Sequence, residues 1–333
     1  MNSNRFHSIL SKYINTGCLN RTDKLLSFIN GKIPFQKNAT SIVKEFNQLD
    51  DAVIGNSVQY LCNKYNGGNK KVQEIMKFLQ SELSNDLKGA FLHGSLATNE
   101  GIPYSDFDGL VIIKNEVFKD KDRLISVAIK LSKAYSMMIS MDALQHHGWF
   151  VMTEKDCKNW PNNYFPPILF EYSQSLLFSN AVIDLTYLPS IEKDKAALLR
   201  LCSSTANHLR SLTIPDNSFQ LKSILSEFML LPSLYIQYKT GKGIYKKFSF
   251  EEAAKDFTPN EWEIMNEVSA IRENWDLNTG IELFESPVIV TPWLKKQQVN
   301  RSSKISHELR IKMDPDFVGR MMKFTNLIRS KII

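Results

Sequence analysis

Apolar positions recur at helical spacing through the first quarter of the chain. In residues 69–83, Val72, Ile75, Met76, Leu79 and Leu83 fall three or four apart and predict an amphipathic helix. Gly67 and Gly68 break the chain before it, and Asn69 is placed to cap its first turn. Residues 1–84 read as a helical segment without obvious chemistry. The pattern changes at Gly89, where GAFLH (89–93) makes a short apolar run that stops at Gly94-Ser95. A polar loop with Asn99, Gly101, Pro103 and Ser105 follows, and DFDGLVII (106–113) then has the make-up of a buried strand. Leu124, Val127, Ala128, Leu131, Tyr135 and Met138 predict a long helix. Residues 144–152 and 181–188 are further strand candidates, separated by a loop-rich stretch.

From Lys193 onward the spacing is helical again, through Leu198, Leu199, Leu201 and Cys202, then Leu221, Ile224, Leu225 and Phe228. Pro232 is expected to kink or end that second helix, and Ser249 to cap a new one. The expected fold class is α+β. A small mixed-sheet core over residues 85–190 lies between an N-terminal helical segment (1–84) and a C-terminal helical domain (191–333).

Composition narrows the classes. With 43% hydrophobic and 23% charged residues the chain is ordinary for a folded protein, so disorder is not expected. The net charge of +6 is a mild bias that suits a polyanionic small ligand and does not require a nucleic acid. Cys18, Cys62, Cys157 and Cys202 are scattered without a CxxC pair, which argues against a disulfide framework or a zinc site. The first residues lack the apolar run of a signal peptide, and the longest apolar stretches, such as Phe228 to Ile236, fall short of a membrane span. A cytoplasmic protein with no membrane partner is the expectation.

The candidate chemistry centres on Asp106-Phe107-Asp108. In an extended chain the two carboxylates share a face while Phe107 turns to the core. Acids that close repel one another unless a cation sits between them, and hard oxygen ligands suit Mg²⁺, which completes its shell with water and substrate phosphates. Upstream, Gly94 permits close approach of backbone to a phosphate, and Ser95 offers a hydroxyl to a phosphate oxygen or to the following turn. Ten residues separate Ser95 from Asp106. Downstream, the adjacent His146 and His147 point to opposite faces of an expected strand, so one at most reaches a site. They are no zinc pair, because no Cys or third His stands at ligand spacing. Asp142 and His146 share a face if that strand begins at Asp142, and His146 would then orient substrate. Gln145 and His147 share the face of Trp149, whose commoner fate is to fill a core.

The pattern LHGS (92–95) followed by SDFDGL (105–110) resembles the signature of the polymerase-beta-like nucleotidyltransferase superfamily, an apolar residue with Gly-Ser, about ten residues, then an acid–apolar–acid strand. The resemblance implies transfer of a nucleoside monophosphate, AMP from ATP, to a hydroxyl with release of pyrophosphate. It implies two Mg²⁺ ions, or Mn²⁺, held by Asp106, Asp108 and a third acid, with Gly94 and Ser95 on the nucleotide. Asp142 and Asp184 are the two candidates for the third acid, Asp142 being favoured. Residues 234–257 are similar to the helical C-terminal domain of aminoglycoside adenylyltransferases, through Thr240-Gly241, Lys246 or Lys247, and Ala253-Ala254. That likeness implies that Lys246 or Lys247 binds the triphosphate; the aminoglycoside-binding acids of that group have no counterpart in this sequence. A small-molecule acceptor is the expectation, with transfer to a protein or RNA as the alternative enzyme class. A catalytically inactive nucleotide-binding protein is the alternative outside enzymes.

Overall fold

The computed structural model describes residues 3–49, 55–142, 144–145, 147–162, 164–211, 217–275 and 305–332. His146, expected to contact substrate, lies outside the described residues. Three helices open the chain: α1 (Ser3–Thr16), α2 (Arg21–Ile29) and α3 (Ile33–Phe46). Strand β1 (Asn56–Cys62) follows, a strand where residues 1–84 read as helical. Its apolar residues alternate with polar ones over too few positions to stand out from the helical pattern around it. Next is α4 (Lys70–Leu83), whose first turn is capped as expected: Asn69 Oδ1 accepts from the amides of Lys71 and Val72.

The α+β architecture is organised by a mixed sheet. Strands β2 (Leu87–His93), β3 (Asp108–Ile113), β4 (Phe150–Thr153) and β5 (Gln174–Ser175) lie in the order β4-β3-β2-β5. The β2–β3 pair is antiparallel, and β3–β4 is parallel through the crossover helix α5 (Lys121–Met141). Register places His93 opposite Asp108, so the Gly-Ser turn and the second acid of the motif emerge from the same sheet edge. A separate antiparallel pair joins β1 to β6 (Ala181–Tyr187).

Both faces of the mixed sheet are covered, and alternation along the strands assigns each residue its side. Ala90, Leu92, Val111, Ile113 and Val151 share one core with α1, α3, α4 and α5. Phe91, Leu110, Ile112 and Met152 pack instead with Trp160, Phe165, Phe170 and the inner face of the β1–β6 pair. The N-terminal helices are thus part of the wall behind the sheet. By length and composition α5 could cross a membrane, yet half of it is buried against this wall, the signature of a core helix.

The remaining helices are α6 (Ile191–Ser211), α7 (Ser218–Phe228), α8 (Leu231–Thr240), α9 (Lys246–Ala254), α10 (Pro259–Glu273), α11 (His307–Lys312) and α12 (Pro315–Ser330). Pro232 lies in the first turn of α8, where its missing amide costs nothing, and Gly241 ends that helix in the left-handed conformation (φ 68°). The next helix begins at Lys246 and not after Ser249; Ser249 is buried, and its hydroxyl donates to the Lys246 carbonyl at 2.6 Å. These helices form a third core that also takes in Tyr104 and Leu144. Those two residues flank the acids of the motif, so the acids lie where the sheet unit meets the C-terminal helices.

Candidate active site

The ladder of β3 starts at Asp108; Asp106 and Phe107 precede it. A side chain holds the peptide groups of Phe107. Gln145, fully buried, accepts the Phe107 amide on Oε1 (2.9 Å) and donates from Nε2 to the Phe107 carbonyl (3.0 Å) and the His147 carbonyl (2.9 Å). A primary amide here substitutes for a neighbouring strand. The described residues 142, 144, 145 and 147–149 belong to no strand, and β4 begins only at Phe150, against the expectation of a strand over 144–152. Phe107 is buried in the core and meets Trp149 edge to face, with ring centroids 5.7 Å apart. Trp149 fills that core, its indole donating to the Leu131 carbonyl at 3.2 Å. Gly109 allows this packing, since a Cβ there would enter the Trp149 ring.

The Gly-Ser turn closes directly onto the second acid. Gly94 has φ +73°, and a Cβ built on it would collide with Oδ2 of Asp108. Ser95 begins one helical turn, with the amides of Ala97 and Thr98 donating to the Gly94 carbonyl, and no longer helix follows. Its hydroxyl donates to Ser105 Oγ at 2.7 Å, and Ser105 Oγ accepts the Ile102 amide at 3.0 Å. The loop between the two halves of the motif is thereby stitched to itself, which sets Ser95 at a defined distance from the acids.

Two imidazoles approach Asp108. His147 Nε2 stands 3.0 Å from Asp108 Oδ1, while Nδ1 faces the Gly148 carbonyl at 3.0 Å. Burial opposes charge on His147, but the Asp108 hydrogen bond and charge outweigh it and raise its pKa. Burial likewise works against the Asp108 carboxylate; the His147 hydrogen bond prevails and holds it below the ordinary carboxylate range. His93, buried behind Asp108 against the Phe165 ring (4.8 Å), is pulled down to about 4 by desolvation.

Asp106 turns toward the C-terminal helices. Lys222 on α7, with no solvent exposure, places Nζ 2.6 Å from Asp106 Oδ1 and 2.7 Å from Asp142 Oδ2. Asp142 is the C-cap of α5, not the first residue of a strand, and its Oδ1 accepts the Leu144 amide at 2.9 Å. Burial pushes the Asp142 carboxyl up to about 6 against the pull of the neighbouring ammonium. Burial disfavours the Lys222 charge too, and the two carboxylates more than offset it. The structure therefore joins Asp142 to Asp106. Asp184 is elsewhere: it sits exposed on β6, paired across to β1, and accepts from Gln59 Nε2 at 2.7 Å.

The two lysines of the basic turn part company. Lys246 is half-buried, and desolvation with the Arg272 charge lowers its pKa to about 7, opposed by Asp108 and Asp106. Lys247 is exposed and ion-paired with Glu100, from the loop between Ser95 and Asp106. Arg272 lies 4.8 Å from the Tyr104 ring, and its Nε has no hydrogen-bond partner among the described residues. Sequence reasoning missed Lys222, Arg272 and Gln145 as site residues, since no local spacing ties them to the acids; of the two adjacent histidines it left His147 open as the one that reaches the site.

Among the described residues, no three His, Cys, Asp or Glu side chains are grouped so as to hold a metal by themselves. Asp106 and Asp108 are hard oxygen donors of the kind that suits Mg²⁺, which would draw its remaining ligands from phosphate and water.

Residues 70–140 match the sequence model of the nucleotidyltransferase domain, a span that includes Gly94, Ser95, Asp106 and Asp108. No curated protein matches the chain. Among solved structures, a spectinomycin adenyltransferase from Enterococcus faecialis, crystallised with ATP and spectinomycin, aligns at 14% identity and a TM-score of 0.36, over 69% of this chain and 98% of that one. The family match places a nucleotidyltransferase domain at residues 70–140, and Asp106 of its motif faces the C-terminal helices through Lys222.

Proposed function

We propose that this nucleotidyltransferase domain moves AMP from ATP to a hydroxyl of a small-molecule acceptor, with release of pyrophosphate. One observation carries the reading: Asp108 stands against a glycine turn that only a missing Cβ lets close on it, with Asp106 two residues before it and the Lys246 and Arg272 charges near by. The acids would hold a divalent ion, Mg²⁺ or Mn²⁺, which supplies charge for the triphosphate and the developing alkoxide. Gly94 and Ser95 present a backbone turn and a hydroxyl to the phosphates. Lys246 and Arg272 repel one another in the free protein, and an anionic phosphate chain would relieve that repulsion. The acceptor oxygen forms its bond to the α-phosphorus as the bond to the bridging oxygen breaks. Pyrophosphate leaves with that electron pair, and the hydroxyl proton passes to a base. Positioning and electrostatics account for most of the rate in such a reaction. The choice of adenine and of a small acceptor rests on the similarity of residues 234–257 to the adenylyltransferase helical domain.

The test is pyrophosphate release from ATP with Mg²⁺ and a pool of small hydroxyl compounds, alongside labelling of a cell extract with α-labelled ATP. Label in small products, lost in Asp106→Asn and Asp108→Asn, is the expected result. Label confined to protein or RNA would move the acceptor to a macromolecule. Tight ATP binding without any pyrophosphate would make the chain a binding protein.

A further inference from the structure

Lys222 is a fully buried charge held between two acids. It has no exposed surface, its ammonium contacts two carboxylates at 2.6 and 2.7 Å, and the Tyr104 ring centroid lies 5.1 Å from Nζ. The Tyr104 hydroxyl donates to the Lys222 carbonyl at 2.7 Å, so the residue two places before Asp106 also anchors the backbone that delivers the lysine. Its neighbours on α7, Leu221 and Leu225, are buried in the C-terminal core and fix the helix against rotation.

We infer that Lys222 is a built-in cation in the place of one of the two metal ions, so that the site takes up a single divalent ion with its nucleotide. The inference rests on the nucleotidyl-transfer reading above. A divalent ion bridging Asp106 and Asp142 would need each oxygen at about 2.1 Å, which puts it on the spot the ammonium fills. Two cations do not share that spot, and an ammonium driven from it would be stranded unpaired in a dry interior. Asp142 then binds no metal; it is a positioning residue that holds Lys222 against Asp106.

The experiment counts Mn²⁺ by electron paramagnetic resonance, as ions per protein-bound α,β-methylene-ATP. The wild-type chain is expected to bind one, and so is Lys222→Arg. Lys222→Met frees the place between Asp106 and Asp142 and is expected to bind two. Because Lys222→Met leaves buried acids uncompensated and is prone to unfold, Asp142→Asn in the wild-type background gives an independent reading. Its Mn²⁺ affinity should stay within about twofold while its melting temperature falls, since it loses the Lys222 pair and no metal ligand. Two ions in the wild type, or Mn²⁺ affinity about tenfold weaker in Asp142→Asn, a change of about 1.4 kcal/mol, would overturn the inference and leave nucleotidyl transfer standing. A wild-type chain that binds neither nucleotide nor Mn²⁺ would remove both.

Discussion

Gly94 and Asp108 are fitted to one another: the turn reaches φ +73° only a short step from the carboxylate, and any side chain there strikes Oδ2. The register of β2 on β3, His93 against Asp108, makes the encounter unavoidable. Gly94→Ala should therefore displace Asp108 as well as strain the backbone. The expected result is a fall in pyrophosphate release of about 100-fold or more, since small displacements of reacting groups are costly. The stability loss should be modest, about 1 kcal/mol, in a denaturant titration. Unchanged activity would mean that the turn does not position the acid.

Gln145 and Phe107 make the second such pair. Gln145→Leu keeps the volume but leaves the Phe107 amide and carbonyl without their partners in a buried place. A destabilisation of about 2 kcal/mol or more is expected. Activity should fall further than the fraction unfolded explains, because the peptide between the two acids loses its template. Parallel measurements of melting and of pyrophosphate release at a temperature well below the transition separate the two effects.

His93 gives the fold a pH dependence of known sign. Its folded pKa, about 4, lies below the ordinary 6.5. Below pH 6.5 the unfolded chain therefore takes up a proton that the folded chain refuses. Stability from this residue is complete above pH 6.5 and is lost as pH falls toward 4, by a total on the order of 3 kcal/mol. Denaturant titrations at several pH values should show His93→Leu losing less stability than the wild type over that interval. Equal slopes would contradict a neutral buried imidazole.

Lys246 should report nucleotide binding through protons. With a pKa near 7 in the free protein it is largely uncharged at pH 8, and a bound triphosphate would raise the pKa and recharge it. ATP binding at pH 8 is expected to take up part of one proton, read as a dependence of calorimetric heat on the buffer's ionisation enthalpy. Lys246→Met should abolish that dependence and weaken ATP, whereas Lys247→Met, which loses only the exposed Glu100 pair, should keep it.

The sequence by itself determined the parts of this protein whose physics is local. Ten residues between Ser95 and Asp106, an apolar run on either side and a glycine before the serine specify two strands, a turn and a pair of acids at one sheet edge. The cap at Asn69, the helical spacing of α5 and the α+β class follow from the same short-range rules. Tertiary structure decided what meets those acids. Lys222 is 80 residues from Asp142, and Gln145 is 38 from Phe107; pairings at such separations are set by how whole layers pack and leave no periodic trace. The same packing kept Asp184 on the separate β1–β6 pair, where β1, itself hidden inside a helical-looking stretch, holds it. It also left the described residues between Asp142 and Trp149 outside any strand. There α1 intervenes: Asn15 accepts the Trp149 amide at 2.8 Å and donates to its carbonyl at 3.1 Å, taking the bonds a neighbouring strand would have made.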